Sequence, residues 1–112
     1  MSEPPLLALL DAFVRSTPGP AGFTGSVCIG VQAGPAIRWW LAELGAATAT
    51  TTFLDRPRVE AGALLLLTGP EADLLLAGKR LPKLRLSGDP RLFRRFVDRY
   101  VRQQSAIDLR AK

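Results

Sequence analysis

The stretch ALLLLTGPEADLLLAGKRLPKLRLSGDPRLFRRFVDRY, residues 63–100, decides the fold of this chain. Its opening run, Ala63–Thr68, is so apolar that it predicts a central strand covered on both faces. The Gly-Pro break that follows, with acidic residues just after it, predicts a short helix that stops at Gly78. Alternation over Lys83–Gly88 then predicts a strand with one wet face, and Asp89 is the predicted cap of a second helix.

This second helix carries an arginine-rich face and an apolar stripe. Spacings of one, three and four residues place the apolar side chains on one side, which is wide enough to dock on a sheet. The residues of the stripe are Leu92, Phe93, Phe96, Val97, Tyr100 and Val101. No comparable stripe continues to the end of the sequence, so we expect residues 103–112 to form a frayed tail.

The first half of the chain predicts one helix and three strands. Leucines at helical spacing after an early proline predict a helix over Pro5–Arg15. Alternation predicts a half-buried strand over Phe23–Val31 with a hairpin partner over Ala36–Leu44, and threonines predict a third strand over Ala46–Leu54. The complete order predicts a single α+β domain, residues 1–112, with a five-stranded, mainly antiparallel sheet and helices on one face.

Two adjacent tryptophans lie in the second predicted strand. Because neighbouring side chains of a strand point to opposite faces, Trp39 and Trp40 cannot both enter one core. We therefore expect one ring to pack under a helix and the other to meet a ligand, a loop or a second subunit.

The order strand, helix, strand, helix in residues 63–100 resembles the C-terminal half of the sterol carrier protein 2 (SCP2) family. In that family a helix ending in Gly-Lys precedes a strand, and Gly-Asp opens the next helix. The likeness extends over roughly Phe23–Tyr100 and is to a short, bacterial-type member. The matching residues are Asp73, Leu74, Leu75, Gly78, Lys79, Leu84, Leu86, Gly88 and Asp89.

One departure from the family's pattern concerns its pocket. Many members insert a further stretch with a short helix after the Gly-Lys, whereas only Arg80-Leu81-Pro82 intervenes here. The shortening removes material that helps to close the family's cavity. We therefore expect a pocket in this chain to be open, small or completed by another chain.

The resemblance implies a lipid-binding cavity between the sheet and the helices. An empty cavity of about 300 Å³ would cost about 7 kcal/mol, which is much of a small domain's stability. We therefore expect the cavity to be occupied, open to water or shared in a dimer. The residues predicted to line it are Trp39, Trp40, Phe53, Leu66, Leu74, Leu75 and Phe96.

The composition argues against an enzyme and against a metal or cofactor site. The chain has no histidine, which removes the commonest general base and metal ligand. Its one cysteine, Cys28, lies in mid-strand and is expected to be an inert buried thiol. Glu71 and Asp73 are better explained as acids at a helix N-terminus than as a catalytic pair. No catalytic residue, metal ligand or cofactor is predicted.

Positive charge is concentrated in the last third of the chain. Residues 79–112 hold 11 Lys/Arg and three Asp, a net charge of +8, whereas residues 1–78 have a net charge of −3. Such a field can meet an anionic membrane surface, nucleic acid or an acidic protein, and the alternative is a solvated helix face. Nucleic acid is disfavoured, because the aromatic residues of the last helix are better explained as its buried stripe than as a stacking platform.

These patterns predict the non-enzymatic binding or carriage of a hydrophobic ligand: a sterol, a fatty acyl chain or an isoprenoid- or quinone-like lipid. The alternative is an accessory or scaffold protein that dimerises or docks on a lipid or quinone biosynthetic enzyme. An acidic start without a basic n-region, and a single cysteine, favour a cytoplasmic location.

Overall fold

A computed structural model describes residues 4–16, 24–45, 49–77, 79 and 85–101 of the chain. The helices are α1 (Pro5–Ser16), α2 (Gly69–Leu76) and α3 (Pro90–Phe96), and α3 continues as a π-helical segment, Val97–Val101. The strands are β1 (Gly25–Ala33), β2 (Ala36–Leu44), β3 (Ala49–Leu54), β4 (Ala63–Leu67) and β5 (Arg85–Gly88). No helix within these ranges is both long and apolar enough to span a membrane.

The five strands form one sheet in the order β3-β2-β1-β4-β5. Three neighbouring pairs are antiparallel, and β1 and β4 are parallel. The predicted α+β fold with a five-stranded, mainly antiparallel sheet is therefore confirmed. The parallel pair arises because the chain leaves the edge strand β3 and crosses two strands before it re-enters the sheet as β4.

Helix caps lie where the sequence predicts them. The Thr68 hydroxyl accepts a hydrogen bond from the Glu71 backbone N–H at 3.2 Å, and the Glu71 carboxylate accepts one from the Thr68 N–H at 2.8 Å. This reciprocal pair satisfies two N–H groups at the start of α2. At α3 the Asp89 carboxylate accepts a hydrogen bond from the Arg91 N–H at 2.9 Å.

The two faces of the sheet are covered differently. All three helices pack on one side, which we call the helix face, over a core that includes Val27, Ile29, Trp40 and Leu65. The opposite side, which we call the open face, has a smaller cluster. Its members are Cys28, Trp39 and Leu41, with Leu54, Ala61, Leu64 and Leu66 packed against them.

The segment between β3 and β4, residues 55–62, is the crossing loop over the open face. The Arg58 backbone hydrogen-bonds the Cys28 thiol, and Ala61 packs into the cluster beneath. Gly62 donates its N–H to the Ser26 hydroxyl at 3.0 Å. The loop therefore covers part of the sheet that no described helix reaches.

This cover corrects the expectation that β1 is half-buried. Residues 27–31 are buried on both faces, because β1 lies at the centre of the sheet between the helices and the crossing loop. A second difference follows Phe96, where the expected continuous α-helix gives way to π-helix. Its i→i+5 hydrogen-bond pattern changes the direction of Val97, Asp98 and Arg99 relative to an α-helical continuation.

Several predicted positions lie outside the described residues. They include the Arg80–Pro82 connection, the beginnings of the third and fifth predicted strands, and the tail 103–112. Within the described part, the predicted burial of the α3 stripe is confirmed at Leu92, Phe93 and Phe96.

Candidate ligand-binding site

Trp40 is the centre of the helix-face core. Its side chain is fully buried, and its indole N–H donates a hydrogen bond to the Asp11 carboxylate at 3.0 Å. The ring packs against Phe96 at 5.9 Å between centroids, with a 53° angle between planes. Arg15 pairs with the same carboxylate at 3.2 Å, so the polar end of the tryptophan has a hydrogen-bond partner whose own charge is neutralised.

Other predicted site residues border this core. Phe53 and Leu75 are partly buried against it, and Leu74 is half-buried. The Arg38 guanidinium lies 5.3 Å from the centre of the Phe53 ring, which gives that ring a cation on its outer side. Phe53 on the edge strand and Leu75 on α2 therefore pack at the border of the core.

Trp39 and Leu66 lie on the opposite face. Trp39 is 8% exposed and packs in the open-face cluster, and Leu66 packs against that cluster. The prediction that one tryptophan meets a helix and the other meets something else is therefore confirmed, and the described neighbour of Trp39 is the crossing loop. The seven predicted residues do not line one groove, because strand alternation divides them between the two faces. Their role in binding stays a prediction.

A depression of about 370 Å³ opens beside Trp39 on the open face. Apolar side chains form much of it, and a guanidinium and a hydroxyl lie among them. This volume is near the lower end of the range for small-molecule sites, about 300–1,000 Å³. The lining residues are Trp39, Pro57, Leu64, Leu66, Arg85, Leu86 and Ser87.

Arg85 lines this depression and also contacts the first turn of α2. Its Nη2 lies 2.7 Å from Glu71 Oε1, the oxygen that also accepts from the Thr68 N–H. The Thr68 backbone hydrogen bond, and then the Arg85 charge and the Thr68 hydroxyl, lower the pKa of Glu71. The acid that caps α2 therefore also forms an ion pair with the guanidinium of β5.

The single cysteine of the chain, Cys28, lies on the open face. Burial raises the pKa of the Cys28 thiol, and the Arg58 backbone hydrogen bond and charge only partly oppose that rise. The thiol is fully buried, in agreement with the expected inert cysteine. Within the described ranges, no three His, Cys, Asp or Glu side chains are grouped so as to hold a metal ion.

The sequence carried a partial signal for the residues that were missed. Alternation placed Arg85 and Ser87 on the wet face of the fifth strand, but not beside Trp39, because the register between strands is not visible in the sequence. Asp11 was identifiable only as a polar residue among the leucines of α1. The place of Pro57 over the sheet depends on the crossover between β3 and β4, which the sequence does not show.

The chain matches no protein-family model and no curated protein significantly. Solved structures do match it. The conserved hypothetical protein TT1886 from Thermus thermophilus aligns with a TM-score of 0.64 and 13% identity, over 96% of this chain and 92% of that one. Sterol carrier protein 2 aligns with a TM-score of 0.62 and 10% identity, over 92% and 95%.

A third solved structure is the palmitated SCP2L2 of Aedes aegypti, with a TM-score of 0.60 and 18% identity, over 88% of this chain and 93% of that one. Identities this low show the fold alone. The chain therefore has an SCP2-like fold, as its residues 63–100 indicate.

Proposed function

We propose that this chain binds or carries a hydrophobic ligand without covalent chemistry. The observation that carries the proposal is the SCP2-like fold, which spans nearly the whole chain. One structure with this fold is palmitated, which supports an acyl chain among the candidate ligands. Sterols and isoprenoid- or quinone-like lipids are the other candidates, and affinity would come from apolar burial at about 25 cal/mol per Å².

Native mass spectrometry of the protein purified from cells, followed by lipid extraction, tests this function. We expect a population with a bound lipid that denaturation releases. Apoprotein alone, together with tryptophan fluorescence that fatty acids, sterols and quinones leave unchanged, would contradict the proposal. An assay of hydrolysis of the extracted lipid provides the control for enzymatic activity, and none is expected.

The accessory or scaffold role is the second candidate. Val59, on the crossing loop, is 74% exposed, and a partner that docks on this loop would bury its side chain. Light scattering over a concentration series tests whether the protein dimerises through such a surface. A monomer at every concentration, with no partner enzyme retained, would contradict this role.

A transient approach to anionic membranes is the remaining part of the proposal. Arg91, Arg94 and Arg95 are exposed on α3, whereas the helix buries Leu92, Phe93 and Phe96. Cations on the outer side of a packed helix are available to lipid head groups.

A further inference from the structure

A single row of cross-strand neighbours crosses the open face. Arg85 lies opposite Leu66, Leu66 opposite Gly30, and Gly30 opposite Trp39. Gly30 has no side chain, and the Trp39 ring occupies the space above it, since a Cβ at position 30 would overlap that ring. Adjacent strands are about 4.8 Å apart, so Gly30 and the ring above it lie about 10 Å from the Arg85 backbone. The row places an apolar floor beside a cation.

The walls of the depression extend this floor. Leu64 and Ser87, which face each other in the neighbouring row, line one part, and Pro57 of the crossing loop lines another. The depression is open to solvent, and its volume of about 370 Å³ suits a short apolar chain. Its apolar side chains lie beside the guanidinium and the hydroxyl of β5, and small-molecule sites commonly combine apolar lining with a few placed polar groups.

The charge at that end selects the head group. Arg85 is 55% exposed, and its bond to Glu71 uses one of five N–H donors. Glu71 pairs with the guanidinium without occupying its other donors, and these remaining donors suffice for a carboxylate or a phosphate. A second depression on the same sheet, of about 400 Å³, has Glu43 in its lining and no cation among its described lining residues. Charge complementarity therefore favours an anion at the Arg85 end.

We propose that this depression is a ligand site for an amphiphile with one anionic head group, whose head pairs with Arg85 and whose chain lies on Leu66 and Trp39. The inference rests on the proposed function and deepens it. It places the ligand on the open face of the sheet, opposite the helices, and names the chemical class that is bound.

Two single-tryptophan variants of the full chain distinguish the faces. Trp40→Phe retains Trp39 as a reporter of the open face, and Trp39→Phe retains Trp40 as a reporter of the helix face. The probe is ω-bromoundecanoate, a short-range quencher, used below its micellar concentration. We expect it to quench Trp39 and to leave Trp40 unchanged.

The quenching pattern separates failure of this inference from failure of the proposed function. Quenching of Trp40 alone would place the ligand between sheet and helices, which overturns the open-face site and retains the function. Quenching of neither, with no lipid in native mass spectra, overturns both. If Trp40→Phe does not fold, NMR of the parent protein serves instead, because its two indole N–H groups give separate resonances. Decanoate should then shift the resonance of Trp39.

Substitutions at the head-group end test the role of Arg85. Arg85→Gln should weaken ω-bromoundecanoate binding about fivefold, a moderate loss because the guanidinium is partly exposed. Glu71→Gln is the matched control, since glutamine can still cap α2 and the variant frees Arg85 from its partner. It should bind the probe equally well or more tightly. Equal losses in both variants would show that Arg85 acts only through the contact with Glu71, and would overturn the head-group assignment.

A neutral probe and two competitors complete the experiment. ω-Bromoundecanol should bind more weakly than the carboxylate in the parent protein and equally well in Arg85→Gln. Equal affinities in the parent would overturn anion recognition. Competition between decanoate and decyl phosphate for the site then shows whether the natural head group is a carboxylate or a phosphate. Arg94→Gln, which removes an exposed charge on α3, should leave all these affinities unchanged.

Discussion

The two faces of this sheet are built from the same strands, yet they are covered in different ways. On the helix face, three helices bury Trp40 completely and supply a carboxylate for its indole N–H. On the open face, a loop of eight residues covers Cys28 and Leu41 but leaves a depression beside Trp39. One tryptophan is part of a closed core, and its sequence neighbour lies at the border of a solvent-accessible cleft.

The difference shows how a small domain can combine a stable core with an accessible surface depression, which is the site proposed for a ligand. An empty cavity inside the helix-face core would cost roughly 24 cal/mol for each Å³. A depression at the surface is filled by water and avoids most of this cost. The SCP2-like sheet of this chain is therefore free to pack tightly on one side and to remain accessible on the other.

The strongest test of this comparison is truncation of each tryptophan. We expect Trp40→Ala to lower the free energy of unfolding by about 3–5 kcal/mol, because it leaves a cavity in a closed core. Trp39→Ala should cost about half as much, since water and the crossing loop can fill the space. Urea denaturation followed by circular dichroism measures both. A loss at Trp39 equal to that at Trp40 would show that the open face is as closed as the other.

Adding one methyl group beneath Trp39 should have the next largest effect. Gly30→Ala forces the ring away from the sheet, at a cost of up to about 3 kcal/mol, and should also weaken ligand binding on the open face. Gly69→Ala is the control, because its Cβ would meet only the Gln32 carbonyl oxygen at 3.5 Å. Stability and probe affinity that are unchanged in Gly30→Ala would mean that the ring does not lie against β1.

The contrast at Gly30 also shows what the sequence can and cannot predict. Alternation alone assigned Trp39 and Trp40 to opposite faces, and the apolar stripe of α3 identified its buried side. The neighbours of each ring depend on strand order and register, which join Gly30 to Leu66 through a parallel pair formed after a crossover. Such long-range pairing leaves no local trace, so the sequence alone grouped residues of both faces into one predicted groove, and their role in binding stays a prediction.

Membrane association should depend on the outer side of the helices more than on the crossing loop. Arg94→Gln with Arg95→Gln should weaken binding to anionic vesicles by about 2 kcal/mol, close to 1 kcal/mol for each exposed cation. Arg99 is excluded from this variant because it is half-buried. Arg56→Gln with Arg58→Gln removes the same charge from the open face and should have less effect in vesicle co-sedimentation. A larger effect of the Arg56 and Arg58 substitutions would indicate that the open face, and not α3, approaches the membrane.

The smallest expected effect concerns Glu71, which caps α2 and pairs with Arg85 of β5. Its pKa is lower in the folded protein than in the unfolded chain, chiefly because of the Thr68 backbone hydrogen bond. Its carboxylate therefore stabilises the fold above about pH 4.3, the ordinary value for glutamate, and this stabilisation is lost as the pH falls through the folded pKa. Glu71→Gln should be slightly less stable than the parent near neutral pH and equally stable in acid. Added salt should reduce the difference at neutral pH, because the Arg85–Glu71 ion pair is solvent-accessible. Urea midpoints of the two proteins across this pH range measure the difference, and a gap that stays constant into acid would show that the negative charge of Glu71 is not its source.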